Sequence, residues 1–190
     1  MGNLAFDEDV WDEMLDGRIV AMSPRPAINH QVVTRNISRI LSSFFRRKEC
    51  SAFGDGTDVF LTPKDRVIPD AMIICNKEII KTNGVHGAPD LVVEVLSPTT
   101  QKIDRGYKKN LYEKCGVKEY WIVDIDHLSI EVYLLKDGAY ELDEVYAVYP
   151  EYVIEAMTEE ERNRIPADFK TSLFPDLTIT LEDVFEGMFK

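Results

Sequence analysis

The stretch that decides the fold reads VIPDAMIIC (67–75), APDLVVEVLSPTT (88–100), DRGYKKNLYEKCG (104–116) and VKEYWIVDID (117–126). Two apolar runs with the composition of buried strands each carry one acid that such a strand has no use for: Asp70 at the start of the first, Glu94 inside the second. Either acid alone reads equally well as a turn or cap residue, so the inference rests on the combination, which is the pattern of a metal site built on a sheet. Asp90 and Glu94 share one side of a strand, but four residues at about 3.3 Å each set them about 13 Å apart, too far to hold one ion. Asp70 has to come from a neighbouring strand. Of the three Pro-Asp dipeptides, the last, at Asp176, precedes a tail strand outside the core and reads as a turn.

Working outward, 190 residues suit a single domain (1–190) with enough chain to bury a core. Apolar and charged fractions of 45% and 29% are those of a soluble globular protein. No apolar run approaches the roughly 20 residues of a membrane span, and the first residues lack the order of a signal peptide. A cytoplasmic protein with no membrane partner is expected. Cys50, Cys75 and Cys115 form no CxxC pair and read as reduced thiols in or near the core. His30, His86 and His127 are too scattered for a metal helix, and Ser97 lacks the glycine-flanked elbow of a hydrolase.

The organisation follows from periodicity. Asp7 to Leu15 reads as a short amphipathic helix stopped by Gly17, followed by a strand at RIVAM (18–22). Apolar positions from Val32 to Phe45 recur at helical spacing, which predicts a long helix from Asn29, its cap, to about Arg46. TDVFLT (57–62) reads as a strand, and 76–88 as a loop or short helix. LVVEVL (91–96) is a strand covered on both faces. EYWIVDI (119–125) and LSIEVYLL (128–135) pair across a tight turn, with 139–149 as a further edge strand. The core spans about 29–135, and 150–168 is an acidic surface insertion. The tail LTITLEDVF (177–185) adds a strand and a capped helix. The expected fold is α/β, a three-layer core with a central mixed β-sheet flanked by helices and extra N- and C-terminal strands.

These residues resemble the Uma-type endonuclease family of the PD-(D/E)XK restriction-endonuclease-like superfamily. The resemblance runs from GRIVAMSPRPAINH through PDAMIIC and GAPDLVVEVLSPTTQKIDRGYKKNLYEKCGVKEYWIVD to FPDLTITLEDVF, and is most specific in its middle. It implies a metal-dependent endonuclease in which Asp70, Glu94 and the main-chain carbonyl of Val95 hold Mg²⁺ or Mn²⁺. All three are hard oxygen donors, which suit those ions better than zinc. The resemblance also implies nucleic acid, with DNA favoured, as partner and substrate.

The chain departs from the superfamily's motif where a lysine is expected two residues beyond the glutamate, because position 96 is leucine. In the Uma-type family the basic residue has moved to the following helix, where Lys108 is the matching position. Asp104, Lys108 and Tyr112, at i, i+4 and i+8, share one helical face, whereas Lys109 points about 100° away. Asp104 and Tyr112 are therefore candidate auxiliary residues. His30, at the start of the long helix, is either a further auxiliary group or a packing residue.

The net charge of −12 weighs against a polyanionic partner unless a local basic patch overcomes it. Two clusters could: Arg35, Arg39, Arg46, Arg47 and Lys48 on the early helix, and Lys102, Arg105, Lys108, Lys109 and Lys114 around the central one. The alternatives are a non-catalytic binding or interaction module, a hydrolase acting on RNA or a small phosphate ester, and a subunit or homo-oligomer whose partner supplies the basic surface.

Overall fold

Leu91–Val95 is buried at every position, as a central strand covered on both faces must be. Around it the computed structural model, which describes residues 12–21, 27–166 and 168–189, follows a legible order. It begins with β1 (Asp12–Leu15), β2 (Arg18–Ala21), α1 (Ile28–Phe45), β3 (Ser51–Gly54), β4 (Val59–Thr62), β5 (Asp65–Val67) and β6 (Ala71–Ile74). A 3₁₀ turn (Lys77–Ile79) leads to β7 (Ile80–Lys81), β8 (Gly84–His86) and β9 (Leu91–Val95). Next come α2 (Gln101–Ile103), a π-helical turn (Asp104–Lys108), α3 (Lys109–Cys115), β10 (Glu119–Asp124), β11 (Ser129–Lys136) and β12 (Ala139–Ala147). The chain finishes with α4 (Glu151–Ala156), α5 (Glu159–Arg162), β13 (Asp168–Lys170), β14 (Thr178–Thr180) and α6 (Leu181–Phe185).

The main sheet has the order β12-β11-β10-β9-β6-β3 and is mixed, with β9 and β10 parallel and the other neighbours antiparallel. On one face, Val93, Val95, Trp121 and Val123 pack against Val33, Ile37 and Leu41 of α1. On the other, Met72, Val92, Tyr120 and Ile122 meet Leu111 and Tyr112 of α3. Leu15, Val59, Val67 and Val85 join that second cluster from a separate sheet, β2-β1-β5-β4-β8-β7. The α/β architecture with a mixed sheet between helices is as expected. The second sheet is not, because its strands of two to four residues are too short to show an alternation.

Three local expectations are corrected. The segment read as a helix from Asp7 is a strand over Asp12–Leu15, while residues 7–11 lie outside the described residues. The reason is the Asp16-Gly17 dipeptide: both residues have positive φ, 49° and 74°, which makes the two-residue turn of a hairpin pairing Leu15 with Arg18. Asn29 does not cap α1, whose N-cap is Ala27. Its amide instead bonds both the N–H and the carbonyl of Phe189, at 2.8 and 2.9 Å. Cys50 and Cys75 are joined in a disulfide. The β3–β6 register, which pairs Ser51 with Ile74, brings them opposite each other one position further on, a proximity invisible without the pairing.

The core also extends beyond 29–135. Phe169, Leu177, Ile179, Leu181 and Val184 are buried against α1 and the main sheet. Asn36 grips the carbonyls of Val184 and Glu186 at 3.1 and 2.8 Å. The fully buried Glu119 carboxylate accepts from Trp121 Nε1 at 2.7 Å and from the Ser172 N–H and hydroxyl at 3.0 and 2.7 Å. By contrast α4 and α5 contain no buried residue.

Ile179→Ala is therefore expected to cost about 2–5 kcal/mol of stability, the range for deleting a buried aliphatic side chain. Tyr152→Ala, at a position 73% exposed, should stay within about 0.5 kcal/mol of the parent. Urea unfolding of the two variants checks both, and an Ile179→Ala midpoint equal to the parent's would show that the tail is not part of the core.

Candidate active site

Strand alternation puts Val92, Glu94 and Leu96 on the α3 side of the main sheet and Leu91, Val93 and Val95 on the α1 side. The β6–β9 register pairs Ala71 with Val93, so one further step sets Asp70 opposite Glu94 on the α3 face. Directly opposed residues of antiparallel strands have Cα atoms about 4.5–5.5 Å apart. Asp70 stands just before β6, after Pro69, and its carboxylate does the work of a missing ladder partner: Oδ2 accepts the Val95 N–H at 2.7 Å. From α1, the Thr34 hydroxyl approaches Oδ1 at 3.4 Å and His30 Nε2 lies 3.5 Å from it. His30 Nε2 is also 2.9 Å from the Val95 carbonyl oxygen. That oxygen can only accept, which assigns the ring proton to Nε2.

Glu94 Oε1 accepts from the Tyr112 hydroxyl at 2.6 Å and from Lys108 Nζ at 3.1 Å. The same ammonium is 2.9 Å from Glu13 Oε1 and 3.4 Å from Asp104 Oδ1. Asp70, Glu94, Lys108, Asp104, Tyr112, His30 and the Val95 carbonyl, the residues singled out in the sequence, thus converge on one region. Lys109 points elsewhere, its Nζ 3.8 Å from the centre of the Tyr133 ring.

Two residues of this region escaped the sequence. Glu13 lies on β1 and ties that strand to the site, accepting the Ile68 N–H at 2.8 Å as well as Lys108. The alternating burial of Asp12–Leu15 was its signal, masked by the helical reading of the segment. Asp55 follows β3, whose register with β6 pairs Gly54 with Ala71, so the next step brings Asp55 beside Asp70. Asp55, Asp70 and Glu94 then form a row across three adjacent strands. No local pattern in GDGTD (54–58) marks it.

Burial dominates the electrostatics. It pushes the Glu94 carboxyl well above its ordinary range, with Lys108 pulling it back and Asp104, Asp70 and Glu13 pushing it further up. It raises Asp70 to about 6, against the opposing influence of His30, the Val95 N–H and Lys108. Asp104 is raised for the same reason. For Lys108 burial acts downward, but Glu94, Glu13 and Asp104 together outweigh it and hold the side chain as an ammonium. The buried carboxylates of Glu13, Asp70, Glu94 and Asp104 face a single buried lysine, and Asp104 Oδ1 has no hydrogen-bond partner among the described residues.

That imbalance, together with an all-oxygen donor set, fits a hard divalent cation. Among the described residues no three His, Cys, Asp or Glu side chains converge at ligating distance. The set offered is two carboxylates and a main-chain carbonyl.

A mixed sheet with facing acids on adjacent strands and a lysine from the following helix defines a restriction-endonuclease-like α/β domain. Residues 4–167 match the profile of Uma2, described as "Putative restriction endonuclease", and the chain belongs to that family. It is 28% identical over 127 residues to the uncharacterized protein slr1290 of Synechocystis sp., a match covering 66% of either chain. In fold it is similar to the crystal structure of a "putative nuclease belonging to DUF820" from Anabaena variabilis, with a TM-score of 0.69. That likeness, at 18% identity, covers 92% of this chain and 89% of the other. Among the described residues no helix is long and apolar enough to cross a membrane.

Because the folded-state pKa of Asp70 lies above its ordinary 3.8, folding takes up a proton between about pH 4 and 6. The group's contribution to stability is thus complete below about pH 4 and is lost as pH rises through about 6. Asp70→Asn, which cannot ionise, should raise the unfolding temperature in chelator at neutral pH, with the gain vanishing near pH 4. Thermal scans of parent and variant across that range measure the difference; a gain independent of pH would assign it to something other than ionisation.

Proposed function

We propose that this chain is a metal-dependent endonuclease hydrolysing phosphodiester bonds of nucleic acid, with DNA the favoured substrate and Mg²⁺ or Mn²⁺ the cofactor. The observation that carries the reading is the placing of Asp70, one step beyond the paired residues of β6 and β9, opposite Glu94, with Lys108 on the second carboxylate. The ion would be held by Asp70, Glu94 and the Val95 carbonyl. When bound, such an ion polarises a scissile phosphate and makes water acidic enough to attack it near neutral pH.

The protein's own groups have distinct tasks. Tyr112 and Lys108 fix the Glu94 carboxylate from one side through Oε1. His30 orients the Val95 carbonyl, and the Val95 N–H fixes Asp70. Lys108, held as an ammonium, cannot take a proton from water. Its role is that of a donor and fixed positive charge opposite the negative charge that builds on the phosphate oxygens.

One observation favours the alternative of a non-catalytic module: Lys108 is only 3% exposed and already engaged by three carboxylates. Titration calorimetry and a cleavage assay decide between the two. Asp70→Asn and Glu94→Gln are each expected to lose manganese binding while remaining folded, since a neutral amide replaces a hard anionic ligand. Unchanged manganese binding in both would move the site elsewhere.

Lys108→Ala should retain manganese but lose cleavage across a panel of DNA and RNA substrates. Lys109→Ala, which removes an equal charge at the next position, should change cleavage only modestly. No cleavage by the unmodified, manganese-loaded protein on that panel would favour the non-catalytic module.

A further inference from the structure

Beside the candidate site the main sheet ends in a weakly held strand. β3 is the edge of that sheet and pairs with β6 over only four residues, Ser51–Gly54 against Ala71–Ile74. All four residues of β6 are buried, whereas none of the four on β3 is. A short edge strand with little buried surface opens at small cost. The two ends of this ladder carry opposite loads. One step past the Gly54–Ala71 pair, Asp55 stands opposite Asp70, and like charges directly opposed across strands destabilise the pairing. Asp55 is accordingly among the groups that push the Asp70 carboxyl up. One step past the Ser51–Ile74 pair, Cys50 and Cys75 are joined.

The cross-link is placed symmetrically. Asp55 follows Cys50 by five residues and Asp70 precedes Cys75 by five, about 16 Å along the strands. An odd number of steps sets the disulfide and the acids on opposite faces: the cysteines pack on the α1 side with Ala52, and the acids lie on the α3 side with Phe53. The closed loop of residues 50–75 contains both acids, so the bond limits how far the strands that carry them can part. Both cysteines are only partly buried, which leaves the bond open to attack by a thiol.

We propose that the Cys50–Cys75 disulfide is a redox-controlled clamp on the candidate site: its reduction by a dithiol frees β3, lets Asp55 move away from Asp70 and weakens the hold on a divalent cation. In the exchange, a thiolate of the dithiol attacks one sulfur and breaks the Sγ–Sγ bond, and the second thiol of the reductant then closes its own disulfide. Cys50 and Cys75 gain two electrons and two protons between them and become thiols. Asp55 acts through its charge, because among the described residues no three His, Cys, Asp or Glu side chains converge at ligating distance. The cation's part in this rests on the metal-site reading, whereas the release of β3 does not.

The full chain, oxidised or else reduced with dithiothreitol and desalted without air, is compared by amide hydrogen exchange and by manganese calorimetry. Reduction should speed exchange of the β3 amides about tenfold or more while leaving those of β9 unchanged. Manganese affinity should fall about fivefold or more, the low end of the usual coupling between sites. Asp55→Asn in the oxidised chain should lower manganese affinity by a similar factor, and reducing that variant should add little, since the charge to be displaced is already gone. Cys50→Ser/Cys75→Ser should reproduce the reduced chain in both measurements, and Cys115→Ser should respond to reduction as the parent does.

Equal β3 exchange in the two forms would overturn the proposal, as would acceleration of β9 along with β3, which would make the disulfide a staple of the whole fold. Faster β3 exchange with unchanged manganese affinity would overturn the link to the site. Release of β3 in a chain that takes up no manganese in either form would uphold the clamp on the strand and defeat the metal-site reading instead.

Discussion

The Lys108 ammonium is the interaction on which the arrangement depends. Its three carboxylate neighbours come from β1, from β9 and from its own helical turn, so one buried charge joins the small sheet, the main sheet and the helix between them. Taking an ammonium out of water is costly, and leaving one such group without its partner costs about 3–5 kcal/mol, so the four side chains hold each other in place. A well-packed apolar cluster would secure the same elements at less electrostatic cost. The retention of a charged one, with more acids than bases, points to a use for negative charge at this place.

The backbone is adapted to the same end. A π turn is uncommon and recurs at functional sites, and here it carries both Asp104 and Lys108. On the sheet, β6 begins only at Ala71, which frees Asp70 to turn its carboxylate onto the Val95 N–H. Two acids are thus gathered at a place where pairing ends and the backbone leaves a gap. His30 and Thr34 reach Asp70 from the opposite layer, so the site draws on both sides of the sheet.

What could be read from the sequence was local. The apolar runs at Leu91–Val95 and Tyr120–Val123, the acid breaking the first, and the face shared by Asp104, Lys108 and Tyr112 all lie within one element, where a period of two or of 3.6 suffices. What escaped depends on pairing between distant elements. Glu13 meets Lys108 across 95 positions, and its four-residue strand is too short to distinguish from a turn of helix. Asp55 gains its place only from the β3–β6 register, as do Cys50 and Cys75. The tail reads as an appendage because its apolar residues are few, and only the α1 surface that receives them shows why they are buried.

The way the tail is held bears on how the protein is made. Glu119 waits for Ser172, and Asn29 and Asn36 for the backbone of residues 184–189, so groups on β10 and α1 lack their partners until residues 168–189 exist. On a ribosome, α1 and the sheet would emerge with one apolar flank uncovered, and residues 168–189 would close it only once they too had left the tunnel. A nascent chain stalled before residue 168 would be a sticky, half-roofed sandwich, a natural client for a chaperone that shields hydrophobic surface during synthesis.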